Sequence, residues 1–200
     1  MTARRRILII LLALLPILAA GAFTLWQARQ EAAQRVTGKP AIGGPFRLTT
    51  HDGRTMTDQD LGGRPYAIFF GFTHCPDVCP TTLFEMSQDL KALGKKAEDL
   101  RVLFVSVDPQ RDTPELLATY LQSFDPRIVG LTGTPEEIAD IAKAYKIFYE
   151  KVPTQGDDYT MNHTATVYLM DGTNTFFSAF SFQEPAETRR AKLERLLAGG

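Results

Sequence analysis

Apolar and polar positions along this chain switch repeatedly between strand and helix spacing. Residues 46–48 and the Asp52-Gly53 turn predict a short hairpin. The run Tyr66-Ala67-Ile68-Phe69-Phe70 closes at Gly71 and reads as a strand. An amphipathic pattern follows from about Pro80 to Leu93, with Gly94 as its C-terminal stop. Arg101 to Val107 is mostly apolar and β-branched, the pattern of a strand covered on both faces. Thr113-Pro114-Glu115 predicts a helix to about Phe124, with Thr113 as cap and Pro114 in first position. Ile128 to Leu131 is a short strand, and Thr134 with Glu137 forms the capping box of another helix. Thr164–Met170 and Thr175–Phe180 flank an Asp171-Gly172 turn and read as a second hairpin. An amphipathic helix from about Pro185 to Leu197 closes the pattern.

A βαβ start, a later antiparallel hairpin and a final helix predict an α/β fold. The expected form is a thioredoxin-like sandwich, a mixed sheet with helices on both faces. A right-handed crossover brings the C-terminal ends of the parallel strands to one edge. The segment after Gly71 belongs to that edge, and the loop before the Thr164 strand is expected to turn towards it.

Upstream the pattern is different. Arg4-Arg5-Arg6 precedes an uncharged apolar stretch from Ile7 to Trp26. About 20 helical residues span a hydrocarbon core of ~30 Å. The expected organisation is a cytoplasmic basic segment (1–6), a transmembrane anchor (7–26), a polar stalk (27–41) and one folded domain (42–198). The positive-inside rule sends that domain across the membrane. Ala19-Ala20-Gly21-Ala22 keeps a cleaved signal peptide as the alternative. Removing the anchor leaves about 170 residues, enough for one domain with a real core. A formal net charge of −1 and the lack of a basic stripe give no electrostatic case for nucleic-acid binding.

The chemistry is concentrated in Thr73-His74-Cys75-Pro76-Asp77-Val78-Cys79-Pro80, which holds both cysteines of the chain. A strand delivers them to a helix N-terminus, where unpaired N–H groups and the positive dipole end favour thiolate. Pro80 suits the first helical position, which makes Cys79 the residue before the helix. Two thiolates aimed at one point suit a soft cation, and copper(I) is one that thiolates select well. A disulfide between Cys75 and Cys79 is possible if their Cα atoms lie within about 7 Å. Three residues separate the cysteines, against two in the usual dithiol exchange motif.

His163 starts the Thr164 strand, where the fold turns the chain towards the cysteines. It is the expected nitrogen ligand, against the alternative of a structural histidine. His74 is the rival, but as the neighbour of Cys75 it points away from an ion held by both sulfurs. His51 reads as a surface residue and Met161 as packing. Asp77 either orders the cysteine loop or makes a simple turn. Asp108 either stands beside the site or starts the loop that Arg111 and Asp112 stabilise. None of these residues is read as catalytic.

Gly71-Phe72-Thr73-His74-Cys75-Pro76-Asp77-Val78-Cys79-Pro80-Thr81-Thr82-Leu83 resembles the signature of the Sco/SenC copper chaperones. Val107-Asp108-Pro109-Gln110-Arg111-Asp112-Thr113-Pro114 is similar to that family's second motif, and His163 before an apolar strand to its third. The resemblance covers roughly Ile42 to Leu197. It implies a thioredoxin fold that binds one copper ion through Cys75, Cys79 and His163. It also implies a role in maturing the binuclear copper site of cytochrome c oxidase, with subunit II or a copper-relay protein as partner. Asn162 stands where family members often carry Asp, a change that bears on the tuning of His163 but removes no ligand. The basic segment and anchor resemble those of a bacterial inner-membrane protein facing the periplasm. The rival function is a thiol–disulfide reductase that keeps a target's copper-binding cysteines reduced. Exchange enzymes of this fold generally place a cis-proline opposite their cysteines. Thr160-Met161-Asn162-His163-Thr164 contains no proline, which favours metal binding.

Overall fold

The computed structural model describes residues 42–199, together with Gly21 and Phe23. The chain divides into two units, 1–41 and 42–200. The expected basic segment, anchor and stalk lie outside the described residues apart from Gly21 and Phe23, both helical. Among the described residues no helix is long and apolar enough to cross a membrane.

In the second unit the strands are β1 (Arg47–Thr50), β2 (Thr55–Thr57), β3 (Tyr66–Gly71), β4 (Arg101–Ser106), β5 (Ile128–Thr132), β6 (Tyr149–Pro153), β7 (Tyr159–His163), β8 (Thr166–Met170) and β9 (Phe176–Ser181). The helices are α1 (Val78–Leu93), α2 (Pro114–Leu121), α3 (Pro135–Ala144) and α4 (Ala186–Leu197). A seven-stranded sheet has the order β2-β1-β5-β4-β3-β8-β9, and β6 and β7 form a separate two-stranded ribbon. The strands β3, β4 and β5 run parallel, whereas β8 is antiparallel to β3 and β1 to β5. The expected mixed sheet is therefore present.

The two apolar runs occupy the middle of that sheet because both of their faces need cover. Side chains alternate across a strand. Ala67, Phe69, Val102 and Phe104 face one core, with Leu83, Met86 and Leu90 of α1, Leu117 of α2 and Leu193 of α4. Ile68, Phe70, Leu103 and Val105 face a second core, with Ile138 and Ile141 of α3. Helices thus cover both faces, as the pattern predicts. The capping box of α3 also forms: Glu137 N–H donates to Thr134 Oγ1 at 3.2 Å and Thr134 N–H to Glu137 Oε2 at 2.8 Å.

Three local expectations need correction. Helix α1 begins at Val78 with Asp77 as its cap, so Cys79 lies inside the first turn and not before it. Pro80 is then the third helical residue, tolerated because the N–H groups of a first turn have no intrahelical partner anyway. Helix α2 stops at Leu121, short of Phe124. The chain turns there, with Phe124 N–H donating to Leu121 O at 3.0 Å and the Phe124 ring against Tyr120. Finally, His163 ends a strand of its own. The segment expected as a loop before Thr164 is β7, paired with a β6 that sequence pattern did not reveal.

Candidate metal centre

Strand β3 ends at Gly71 against a crowded point of the core. A Cβ built there would stand 2.7 Å from the Phe104 ring and 2.8 Å from Cys79 Sγ. Only glycine lets the strand end and the first turn of α1 approach so closely. The chain then loops over residues 72–77, with Cys75 N–H donating to Phe72 O at 3.4 Å. This loop leaves Cys75 partly exposed and Cys79 fully buried, both as free thiols.

A buried carboxylate braces the loop from below. Asp112, 0% exposed, accepts from Thr73 N–H at 3.0 Å, Thr73 Oγ1 at 2.6 Å and Ser106 Oγ at 2.6 Å. Three donors satisfy an ion that burial would otherwise penalise. Asp112 thereby ties the cysteine loop to the end of β4.

His163 reaches the cysteines from the far side of the sequence. Its Nε2 lies 3.6 Å from Cys79 Sγ. Its Nδ1 is 3.1 Å from Thr164 O, and because a carbonyl only accepts, Nδ1 carries the proton and Nε2 presents its lone pair to the sulfurs. The ring is seated edge-on against Phe72 at 5.7 Å and Phe69 at 6.2 Å. Cys75, Pro76 and Asp77 on one side and Met161, Asn162 and His163 on the other line a cleft of about 260 Å³.

The cysteines are unlike electrostatically. Cys75 is held down at about 3, first by the hydrogen bond from the Cys79 thiol, with the N–H groups of Asp77 and Cys79 adding to it; burial opposes them. Cys79 N–H lies 3.4 Å from Cys75 Sγ. The Cys79 thiol is pushed up by the hydrogen bond it gives to Cys75, by burial and by the Cys75 charge. The pair therefore shares one proton, as thiolate Cys75 and thiol Cys79. The same negative site, after burial, pushes the Tyr120 phenol up, and its buried hydroxyl has no partner.

The other candidates fall outside this trio. His74 is exposed, with Nδ1 on Thr73 Oγ1 at 3.1 Å. His51 is partly buried, and its Nδ1 accepts from Gly130 N–H at 3.1 Å. Met161 packs against both cores beside His163. The Asp77 carboxylate is exposed and accepts from Thr81 Oγ1 at 3.4 Å. Asp108 is buried but bonds Arg111 and Tyr159, not the cysteines or His163. Asn162 is exposed and donates to Glu150 at 3.2 Å. Sequence reading missed the parts played by Gly71, Asp112 and Tyr159. A glycine at a strand end hints at a close approach. Asp112 was read as stabilising its own loop, and nothing near it in sequence pointed to the cysteine loop it braces.

Among the described residues no three His, Cys, Asp or Glu side chains meet as a preformed metal cluster. The two cysteines share a hydrogen bond instead, and His163 Nε2 stands 3.6 Å from Cys79 Sγ. Two sulfurs and one imidazole nitrogen on a small cleft suit a soft or borderline ion, and engaging it requires the Cys79 proton to leave.

The family model for SCO1/SenC matches residues 34–198. The human mitochondrial SCO1 homolog is 46% identical over 76% of this chain and 51% of its own length. Its mouse and Arabidopsis counterparts are matched over 54% and 40% of theirs, so the chain spans about half the length of these relatives. Among solved structures, Bradyrhizobium japonicum ScoI with copper bound is 52% identical, with a TM-score of 0.73 over 78% of this chain and 99% of that one. Yeast Sco1 with copper bound is 35% identical, with a TM-score of 0.74 over 80% and 91%. With the fold, the cysteine pair and the distal histidine in place, the chain belongs to the SCO1/SenC family.

Proposed function

We propose that this protein carries a single copper ion on Cys75, Cys79 and His163 and passes it on during assembly of cytochrome c oxidase. The observation that carries this reading is the convergence of Nε2 of His163 on Cys79 Sγ at 3.6 Å, across a sequence separation of 84. A thiol exchange site needs no such nitrogen. Solved relatives with copper bound share the fold and much of the sequence. Two thiolates satisfy copper(I), and the imidazole extends the site to copper(II), which favours nitrogen. The recipient is the binuclear copper site of the oxidase, reached through subunit II or a relay protein. Transfer proceeds by ligand exchange, a target thiolate entering at the exposed Cys75 side as His163 leaves. The domain stands on the periplasmic side of a bacterial inner membrane, tethered by residues 7–26.

The test is copper stoichiometry and spectroscopy on the reduced domain. Cys75→Ser and Cys79→Ser are expected to lose tight copper(I) binding. His163→Ala should keep copper(I) at one ion per chain and lose the copper(II) signature of the native protein. X-ray absorption without sulfur ligation would overturn the assignment. Protease added to spheroplasts should digest the domain while a cytoplasmic marker survives.

A second reading is favoured by the thiolate–thiol pair itself. Such a pair is poised for disulfide exchange, so the metal-free protein would reduce a target's cysteines. Cells lacking the protein separate the two. Added copper should restore oxidase activity if carriage dominates, and added reductant if exchange does.

A further inference from the structure

The β6–β7 ribbon carries His163, yet little of the rest of the domain supports it. Neither strand has a substantial backbone contact with any other helix or strand. A lone two-stranded ribbon is marginal in water. Its turn, residues 154–158, is exposed. Met161 alone anchors its middle in the cores. The His163 end is held by apolar contacts, Tyr149 on the second core and the His163 ring on Phe72 and Phe69, whereas the Tyr159 end is held by polar contacts from the loop after β4. Arg111 Nε donates to Asp108 Oδ2 at 2.5 Å, and its Nη1 to Tyr159 O at 2.9 Å and to Asp158 Oδ1 at 3.3 Å. Tyr159 O–H donates back to Asp108 Oδ1 at 2.9 Å.

The Tyr159 ring is itself gripped. Arg111 stands 3.7 Å from its centre and Lys151 Nζ 3.5 Å. Two cations so close to one ring centre have to lie on opposite faces. Lys151 also donates to Gln110 Oε1 at 3.2 Å. Asp108 is 3% exposed, so the arrangement is largely shielded from water on the loop side. Tyr159 and His163 sit at opposite ends of β7, roughly 13 Å apart at ~3.3 Å per residue.

We propose that Arg111, Asp108 and Tyr159 form a clamp that positions His163. The clamp fixes one end of β7 so that the other end holds Nε2 at the sulfurs; opening it frees the ribbon and withdraws the nitrogen. This rests on His163 being a copper ligand. The clamp residues touch neither the cysteines nor His163, so they are positioning residues. Their loss acts on the nitrogen ligand and leaves the sulfurs in place.

The experiment has a metal-free arm and a copper arm, run on native protein, Arg111→Gln, Arg111→Lys, Tyr159→Leu and His163→Ala. In the metal-free arm, exchange of the β7 amides is expected to quicken at least tenfold in Arg111→Gln and Tyr159→Leu, with the β3 and β4 amides unchanged. Arg111→Lys should fall between, because a lysine keeps the charge and loses the fork. In the copper arm the copper(II) spectrum of Arg111→Gln should move towards that of His163→Ala, while copper(I) stays at one per chain. Unchanged β7 exchange in Tyr159→Leu, a partly exposed position whose replacement leaves the cores intact, overturns the clamp. So does loosened exchange with a native copper(II) spectrum. If His163→Ala itself keeps the native spectrum, the ligand assignment fails, and the exchange arm still decides whether a clamp exists.

Discussion

Cys75 and Cys79 are four residues apart and chemically opposite. One is a half-exposed thiolate held at about 3, mainly by its partner's thiol; the other is a buried thiol. The thiolate is the reactive form, so its population sets the pH dependence. A depressed value keeps Cys75 ionised as pH falls, until pH approaches that value. Alkylation by iodoacetamide, followed by mass spectrometry, should label Cys75 at a rate nearly flat from about pH 8 to about pH 5, where an ordinary thiol near 8.5 has stopped reacting. Cys79→Ala removes the principal donor and should shift the profile upward. Copper(I) uptake near pH 7 should release about one proton, since only Cys79 still holds one; calorimetry in buffers of different ionisation enthalpy reads that number. Gly71 is the second residue with leverage. Gly71→Ala places a methyl 2.8 Å from Cys79 Sγ and 2.7 Å from Phe104, where overpacking costs about 1–3 kcal/mol. Copper affinity should fall along with stability, because the Cys79 sulfur is one of the two closest neighbours of the added methyl. Equal copper affinity in the variant would contradict that.

At the scale of elements, legibility followed the local rules. The continuous runs at β3 and β4 and the capping box at Thr134 each carry their signal within a few residues, and each formed as predicted. The start of α1 was misplaced by two residues, because Pro80 is acceptable anywhere in a first turn. The ribbon was missed for a different reason. Glu150 and Lys151 are exposed and only Tyr149 and Val152 are partly covered, so β6 has no buried face to give it a period. It is tied to the domain by long-range contacts, among them Arg111 to Tyr159 O across 48 residues, which no local pattern records. The cysteines were legible as a site from their spacing, and His163 from its place beside the next strand. Asp112 was legible only as a stabiliser of its own loop, since its brace on the cysteine loop depends on Thr73 approaching across the fold. Helix α1 also shows how elements are fixed end to end. Arg189 of α4 bonds Asp89 at 2.8 Å and reaches Glu85 at 3.2 Å, with Arg189 and Asp89 nearly buried. Arg189→Met removes the close partner of the buried Asp89 and leaves only Arg190 at 4.0 Å, a loss of up to about 3–5 kcal/mol. The melting temperature should drop on the order of 10 °C. Adding Asp89→Leu should recover most of it, which thermal denaturation of the single and double variants will show.

For the whole molecule, the division of labour is between two cores and one edge. The cores hold the sheet rigid, and the edge where β3 and β4 end carries the chemistry, with the ribbon as its one loosely supported wall. Cys79 lies at the bottom of that edge with no exposed surface, and Cys75 lies at the rim. The cleft lined by Cys75 and His163 opens onto the Cys75 sulfur, with the Cys79 sulfur buried behind it. On the proposed carrier role, a shared cleft at the exposed sulfur imposes a timetable. Whatever supplies the ion and whatever collects it must stand in the same place, so they cannot be served together. Loading and unloading then alternate like traffic on a one-lane bridge, and a surplus of an ion-free supplier should slow delivery by blocking the recipient's turn. Transfer rates from the loaded protein, measured as such a supplier is titrated in, should decline as it saturates; a rate indifferent to the supplier would mean a second way in.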